Sequence, residues 1–183
     1  MKHSVLKATA AFFVGSILLN SCKKDDPQPV NEEELITTLV VSLKDVATGF
    51  TSTFIFKDPD GEGGNGPTQF DEINMEAGKE YDCTLSVLNE SVSPAEDITE
   101  EIMEEDVDHQ FYFTPSGSSA SVTTTDIDAV GLPVGLESNW DAGAAGTGTM
   151  KITLKHKPGE KAAGDTIAVG ETDIEITFTT NVN

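Results

Sequence analysis

The stretch 149-TMKITLKH-156 alternates without a break, with Met150, Ile152 and Leu154 on one side and Lys151, Thr153 and Lys155 on the other. Successive side chains of a strand point to opposite faces, so this pattern predicts a half-buried β-strand and lays no stripe along a helix. Further along, 172-TDIEITFTT-180 repeats the period with Ile174, Ile176 and Phe178. Working outward, Leu39, Val41 and Leu43 share a face in 35-LITTLVVSL-43, Phe54 and Phe56 in 51-TSTFIFKD-58, and Phe111 and Phe113 in 109-HQFYFT-114. In 81-YDCTLSV-87, Tyr81, Cys83, Leu85 and Val87 alternate with polar residues, which turns the Cys83 thiol inward as a small apolar group. Weaker strands are expected over 70–75, 119–125 and 134–138. Thr, Val, Ile and Phe fill these runs, and Gly, Pro, Asn and Asp separate them. Seven or eight short strands over about 150 residues predict a mainly β domain, an antiparallel two-sheet β-sandwich of immunoglobulin-like kind. The Cys…Trp…Cys signature of true immunoglobulin domains is missing, and a small closed barrel is the alternative.

One helix is expected within 91-SVSPAEDITEEIMEEDVDHQ-110. Ser93 can cap it, Pro94 suits the first helical position, and Glu96 completes a capping box. Ala95, Ile98 and Ile102 form a stripe at helical spacing, extended by Met103 and Val107. The same helix carries four like-charge pairs at i,i+4, from Glu96 with Glu100 to Glu101 with Glu105, each costing about 0.2–0.5 kcal/mol. Glu100, Glu101, Glu104 and Glu105 are therefore either a solvated acidic face or a surface for a cationic partner.

The 183 residues carry 32 acids against 11 lysines and no arginine, a net charge of −21. Such a surface repels nucleic acid and anionic headgroups, and without arginine it has no planar fork for phosphate. No glycine-rich phosphate loop follows a strand and opens a helix, which argues against nucleotides as well. Cations, cationic peptides and neutral ligands remain.

At the amino end, Lys2 and Lys7 precede an apolar run from Ala8 to Leu19, too short to span a bilayer. It stops in 16-SILLNSCKKDDPQP-29. Leu19, Ser21 and Cys22 resemble the lipobox of bacterial lipoproteins, and the resemblance implies cleavage before Cys22 and lipidation of its thiol. More than one acyl chain makes such an anchor stable. Residues 1–21 are then a signal peptide, 22–34 a lipidated cysteine and an extended tether, and 35–183 the β-domain. The segment "CKKDD" resembles the lysine-and-acid signal that sends Bacteroidota-type lipoproteins to the outer cell surface, with a periplasm-facing anchor as the alternative. Taken whole, "SCKKDD", "NEEELITTL", "SPAEDITEEI", "DHQFYF" and "GETDIEITF" resemble small lipoproteins of Bacteroidota type. That resemblance implies an envelope location and transfers no activity.

Chemistry has two candidate places beside the acidic helix. In 58-DPDGEGGNGPTQ-69, Asp58, Asp60 and Glu62 stand at positions one, three and five with Gly63 at six. This resembles the opening half of a calcium loop of EF-hand kind, although Gln69 replaces the closing glutamate and strands flank the loop. Turn geometry alone explains the same residues. "DIDAVG" offers Asp126 and Asp128, but Val130 has no oxygen to add. Catalysis finds no nucleophile elbow, and His109 and His156 read as structural or solvated. Trp140 reads as core or rim packing in preference to a sugar platform. The expected function is a non-enzymatic, membrane-anchored binding module for cations, peptides or glycans, with calcium its one candidate cofactor. The alternative is an accessory envelope subunit that docks a basic partner through the acidic helix. A hydrolase with paired carboxylates comes third.

Overall fold

The structure, a computed structural model, describes residues 35–61 and 63–183. The signal segment, Cys22, the tether and Glu62 lie outside the described residues. Among the described residues, no helix is long and apolar enough to cross a membrane.

The chain runs β1 (Thr38–Asp45), β2 (Thr51–Lys57), β3 (Gln69–Phe70), β4 (Ile73–Met75), β5 (Glu80–Asn89), β6 (Glu96–Asp97), α1 (Ile98–Glu104), β7 (His109–Ser116), β8 (Ser121–Thr124), β9 (Glu137–Asp141), β10 (Gly146–His156) and β11 (Glu171–Val182). They form two sheets. One has the order β3-β2-β1-β5-β9-β8 with β6 added to β5; the other is β4-β11-β10-β7. Both contribute to one buried cluster, so the fold is a β-sandwich with one short helix. Aromatic edges stitch the layers: Phe70 bridges Phe56 and Phe178, and Phe113 meets Trp140. One departure from an all-antiparallel plan is β4, which pairs parallel to the end of β11 through Thr180↔Ile73.

The period-two reading places the core faces correctly. Leu39, Val41, Leu43, Cys83, Leu85, Met150, Ile152, Leu154 and Phe178 are all buried. The outer face of β10 is not the solvent face its lysines suggested. Thr153, Lys155 and Lys157 are buried too. The connection 157–170 turns back on Tyr112 of β7, where Asp165 accepts from the Tyr112 hydroxyl at 3.0 Å. Gly170 ends that connection at φ +77°, with room for a Cβ removed by the His156 carbonyl 2.3 Å away. Only glycine fits so close an approach in that conformation.

The helix is shorter than the capping box implied. Ser93 does not cap it: the Ser93–Pro94 peptide is cis, and Glu96 and Asp97 pair with Asn89 and Leu88 as a two-residue strand. Two side-chain ties win over the box. Asn89 donates to Glu96 at 2.8 Å, and the Val87 amide donates to the Thr99 hydroxyl at 2.9 Å. Asp97 is the cap, accepting from the Thr99 amide at 3.0 Å. Of the four like-charge pairs only Glu100 with Glu104 lies wholly within the helix, and Glu100 and Glu101 fall in its first turn, where the dipole favours them. Ile98 and Ile102 are buried, whereas Met103 and Val107 are exposed. The weak run over 70–75 divides between the sheets, and β9 starts three residues later than expected, at Glu137. Asp126 sets that start by accepting from the Gly135 and Leu136 amides.

Asp45 closes the β1–β2 turn. It accepts from the Ala47 and Thr48 amides and pairs with Lys79 at 2.8 Å. The Lys79 ammonium, helped by those amides, holds its carboxyl at about 2, below the ordinary 3.8. A depressed carboxyl stabilises the fold fully above its ordinary value and loses that contribution as pH falls through the folded one. The urea midpoint of the wild-type chain is expected to exceed that of Asp45→Asn near neutral pH, with the difference shrinking as pH falls from 4 toward 2. An unchanged difference across that window refutes the assignment.

Candidate functional site

The two sheets do not close evenly. Strand β11 pairs along its whole length with β10, but on its other side β4 covers only Thr180 to Val182. Among the described residues, no strand pairs with the segment 174–179 on that side. The edge lines a cleft of about 500 Å³ between the sheets. Thr172, Asp173, Ile174, Glu175 and Ile176 form one wall; Ile36, Phe56, Asp58 and Gly61 face them. The register against β10 shifts between Leu154 and Lys155, so Asp173 is an extra residue on the β11 side. Such a bulge bends a strand and re-aims its side chains, and it brings consecutive residues onto one wall.

The lining mixes apolar side chains, Ile36, Phe56, Ile174 and Ile176, with the acids Asp58, Asp173 and Glu175. The Lys151 ammonium and the Thr153 hydroxyl both hold Glu175, at 2.9 and 3.0 Å, and keep its carboxyl below the ordinary range. Across the cleft, Asp60 accepts from the backbone amide and the side-chain amide of Asn65, both at 2.8 Å. Those two bonds hold Asp60 below the ordinary carboxylate range. Asp58 goes the other way: burial first, and then its hydrogen bond with Asp60, push its carboxyl up.

The sequence-predicted residues can now be placed. Asp58 and Asp60 do come together, and Asp58 lines the cleft. Glu62 lies outside the described residues. Two carboxylates, one already committed to Asn65, supply few of the 6–8 oxygens calcium takes. Asp126 and Asp128 spend their oxygens on a local hairpin: Asp128 accepts from the Val130 and Leu132 amides and pairs with Lys161 at 2.9 Å. Glu100, Glu101, Glu104 and Glu105 are all exposed and line no part of the cleft. Cys83 is buried, and burial pushes its thiol up to about 12, so it is no nucleophile. Trp140 is completely buried and offers no stacking platform. Asp173 and Glu175 escaped the sequence reading because an alternating strand hides which of its edges is covered. The acids between the inward-facing isoleucines were the available signal.

No protein-family model matches the chain, and the comparisons with curated proteins and with solved structures return no match. The site therefore rests on its own geometry.

Proposed function

We propose that this chain is a non-enzymatic envelope lipoprotein, anchored through Cys22 and displayed at the cell surface, whose sandwich accepts an extended basic segment of another protein as an added strand along β11. The edge of β11 over 174–179, which no described strand covers, carries this reading. An unpaired edge offers a row of amides and carbonyls to an incoming strand, and main-chain bonds supply affinity while alternate side chains supply specificity. Apolar side chains of the guest would enter toward Ile36 and Phe56. Basic ones would meet Asp58, steered there by the net charge of −21.

A peptide of alternating valine and lysine tests the reading against the full chain in detergent, by fluorescence anisotropy. Binding at about micromolar strength is expected, with N-methylation of every second amide abolishing it in one register and sparing it in the other. Neutralising Asp58 (Asp58→Asn) is expected to weaken binding about tenfold, or roughly 1.4 kcal/mol. Because Asp58 titrates above its ordinary 3.8, affinity is expected to rise as pH climbs through that raised value. Equal loss in both methylated registers refutes strand addition.

A second reading follows from the exposure of all four helix glutamates: a basic partner docks on α1. Neutralising Glu100, Glu101, Glu104 and Glu105 leaves the peptide bound under the first reading. Loss of binding there, with the Asp58 variant unaffected, moves the partner to the helix.

A further inference from the structure

One end of the sandwich brings Glu105 and His109, four residues apart, together with the distant His156. His109 opens β7 and His156 closes β10, and the two are direct partners in the antiparallel register. Each continues the inward face of its strand, His109 before Phe111 and His156 after Leu154. Their rings stack at 4.5 Å between centroids with planes only 5° apart. Glu105, the C-cap of α1, lies one helical turn before His109. One ligand atom from each of Glu105, His109 and His156 lies within 4.8 Å of the other two.

We infer that Glu105, His109 and His156 form a binding site for a divalent transition metal ion of the zinc class. The His109 ring is already set for the task. Its Nδ1 lies 3.1 Å from the Glu105 carbonyl oxygen. A carbonyl only accepts, so Nδ1 carries the hydrogen and Nε2 keeps its lone pair. Donation from the second ring nitrogen to a carbonyl is the outer contact that orients metal-bound histidines.

The surroundings favour a cation. The carboxyl end of α1 carries the negative end of its dipole, and Asp106 and Asp108 add charge beside it. The nearby ammonium groups are occupied: Lys157 with Asp165, Lys161 with Asp128, and Lys155 with the Thr172 hydroxyl. Two imidazoles and one carboxylate match the three-ligand sets of zinc sites, which leave the fourth position open. Calcium, which takes oxygen ligands, is a poor match for two ring nitrogens.

The stack tells what must move. An imidazole binds an ion in its own ring plane, and two nearly parallel planes share no such point. At zinc–nitrogen distances of about 2.0–2.1 Å, two ligating nitrogens stand roughly 3.3 Å apart. His156, at the strand end and less buried than His109, is the ring that turns out of the stack.

The full chain, stripped with chelator, is titrated with zinc chloride by calorimetry, with His156→Gln and Glu105→Gln beside it. His109 is left in place because it is buried in the core. The expected result is about one ion per chain at submicromolar strength, weakened tenfold or more in each variant while both keep the wild-type circular dichroism. Imidazole proton resonances of His156 are expected to shift on zinc addition and to stay in place with calcium. Asp58→Asn is expected to leave zinc affinity unchanged. Absence of stoichiometric binding overturns the site, and so does zinc affinity indifferent to either variant.

Discussion

Trp140→Ala is expected to lower the unfolding free energy by about 3–5 kcal/mol, the range for deleting a large aromatic side chain from a core. The site justifies the upper part of that range. Trp140 sits in β9, between Tyr81 of β5 and Val122 of β8, and no part of it reaches solvent. Its ring meets Phe113 of the opposite sheet edge-on at 5.8 Å, so the indole joins both layers. Its Nε1 donates to the Ser138 hydroxyl at 2.9 Å, and truncation leaves that buried hydroxyl without its donor. In a domain of this size the loss corresponds to a fall in thermal midpoint of roughly 6–20 °C. Trp140→Phe keeps most of the volume and is expected to cost less than half as much. Urea titrations of both variants decide the point: a cost below about 1 kcal/mol for the alanine variant contradicts the packing described.

That residue also shows what sequence alone can reach. "SNWDAGAAG" left Trp140 between core and rim, because nothing in nine residues says which strands will flank it. Burial followed from pairing with β5, more than fifty residues earlier. Where the deciding interaction was local, the reading held: the alternation in 149–156 and 172–180 placed Met150, Ile152, Leu154 and Phe178 in the core. Where it was remote, the reading failed. Lys155 and Thr153 alternate like solvent residues, yet a connection that folds back through Asp165 covers their end of the sheet. The capping box at Ser93 was locally sound and lost to a side-chain tie between Asn89 and Glu96. His109 and His156 each looked solitary, being 47 residues apart, and became partners only through the β7–β10 register. The cleft was half visible: Asp58 and Asp60 were picked out as cation-attracting, while the β11 residues of its lining waited on the sheet order.

The second large effect is expected at Asp165. Lys157 is wholly buried, and its ammonium lies 2.9 Å from Asp165, 3.0 Å from Gln110, against the Tyr112 hydroxyl, and 4.6 Å from the Tyr112 ring centre. Burial works against the Asp165 charge, but the Lys157 ammonium and the Ala162 amide outweigh it and hold the carboxyl below the ordinary range. Asp165→Asn keeps the shape and removes the charge, stranding an ammonium among neutral groups. Breaking a buried pair from one side costs about 3–5 kcal/mol, whereas replacing both partners with apolar residues of similar volume is close to neutral. Asp165→Asn is therefore expected to be far less stable than the double variant Lys157→Met, Asp165→Leu, an ordering that a simple count of lost bonds inverts. Guanidinium unfolding of the three chains measures it, and a double variant no better than the single one refutes the argument. Acid should mimic the single variant. A depressed carboxyl supports the fold above its ordinary value of 3.8 and withdraws that support as pH falls through the folded one, so the Asp165→Asn chain is expected to lose less stability than wild type below pH 4. The connection 157–170 is thus held onto β7 by charge, and its first residue follows His156 directly. Loosening it by Asp165→Asn is expected to weaken zinc binding at His156 while leaving peptide binding at the β11 edge intact, which separates the two ends of the sandwich by experiment.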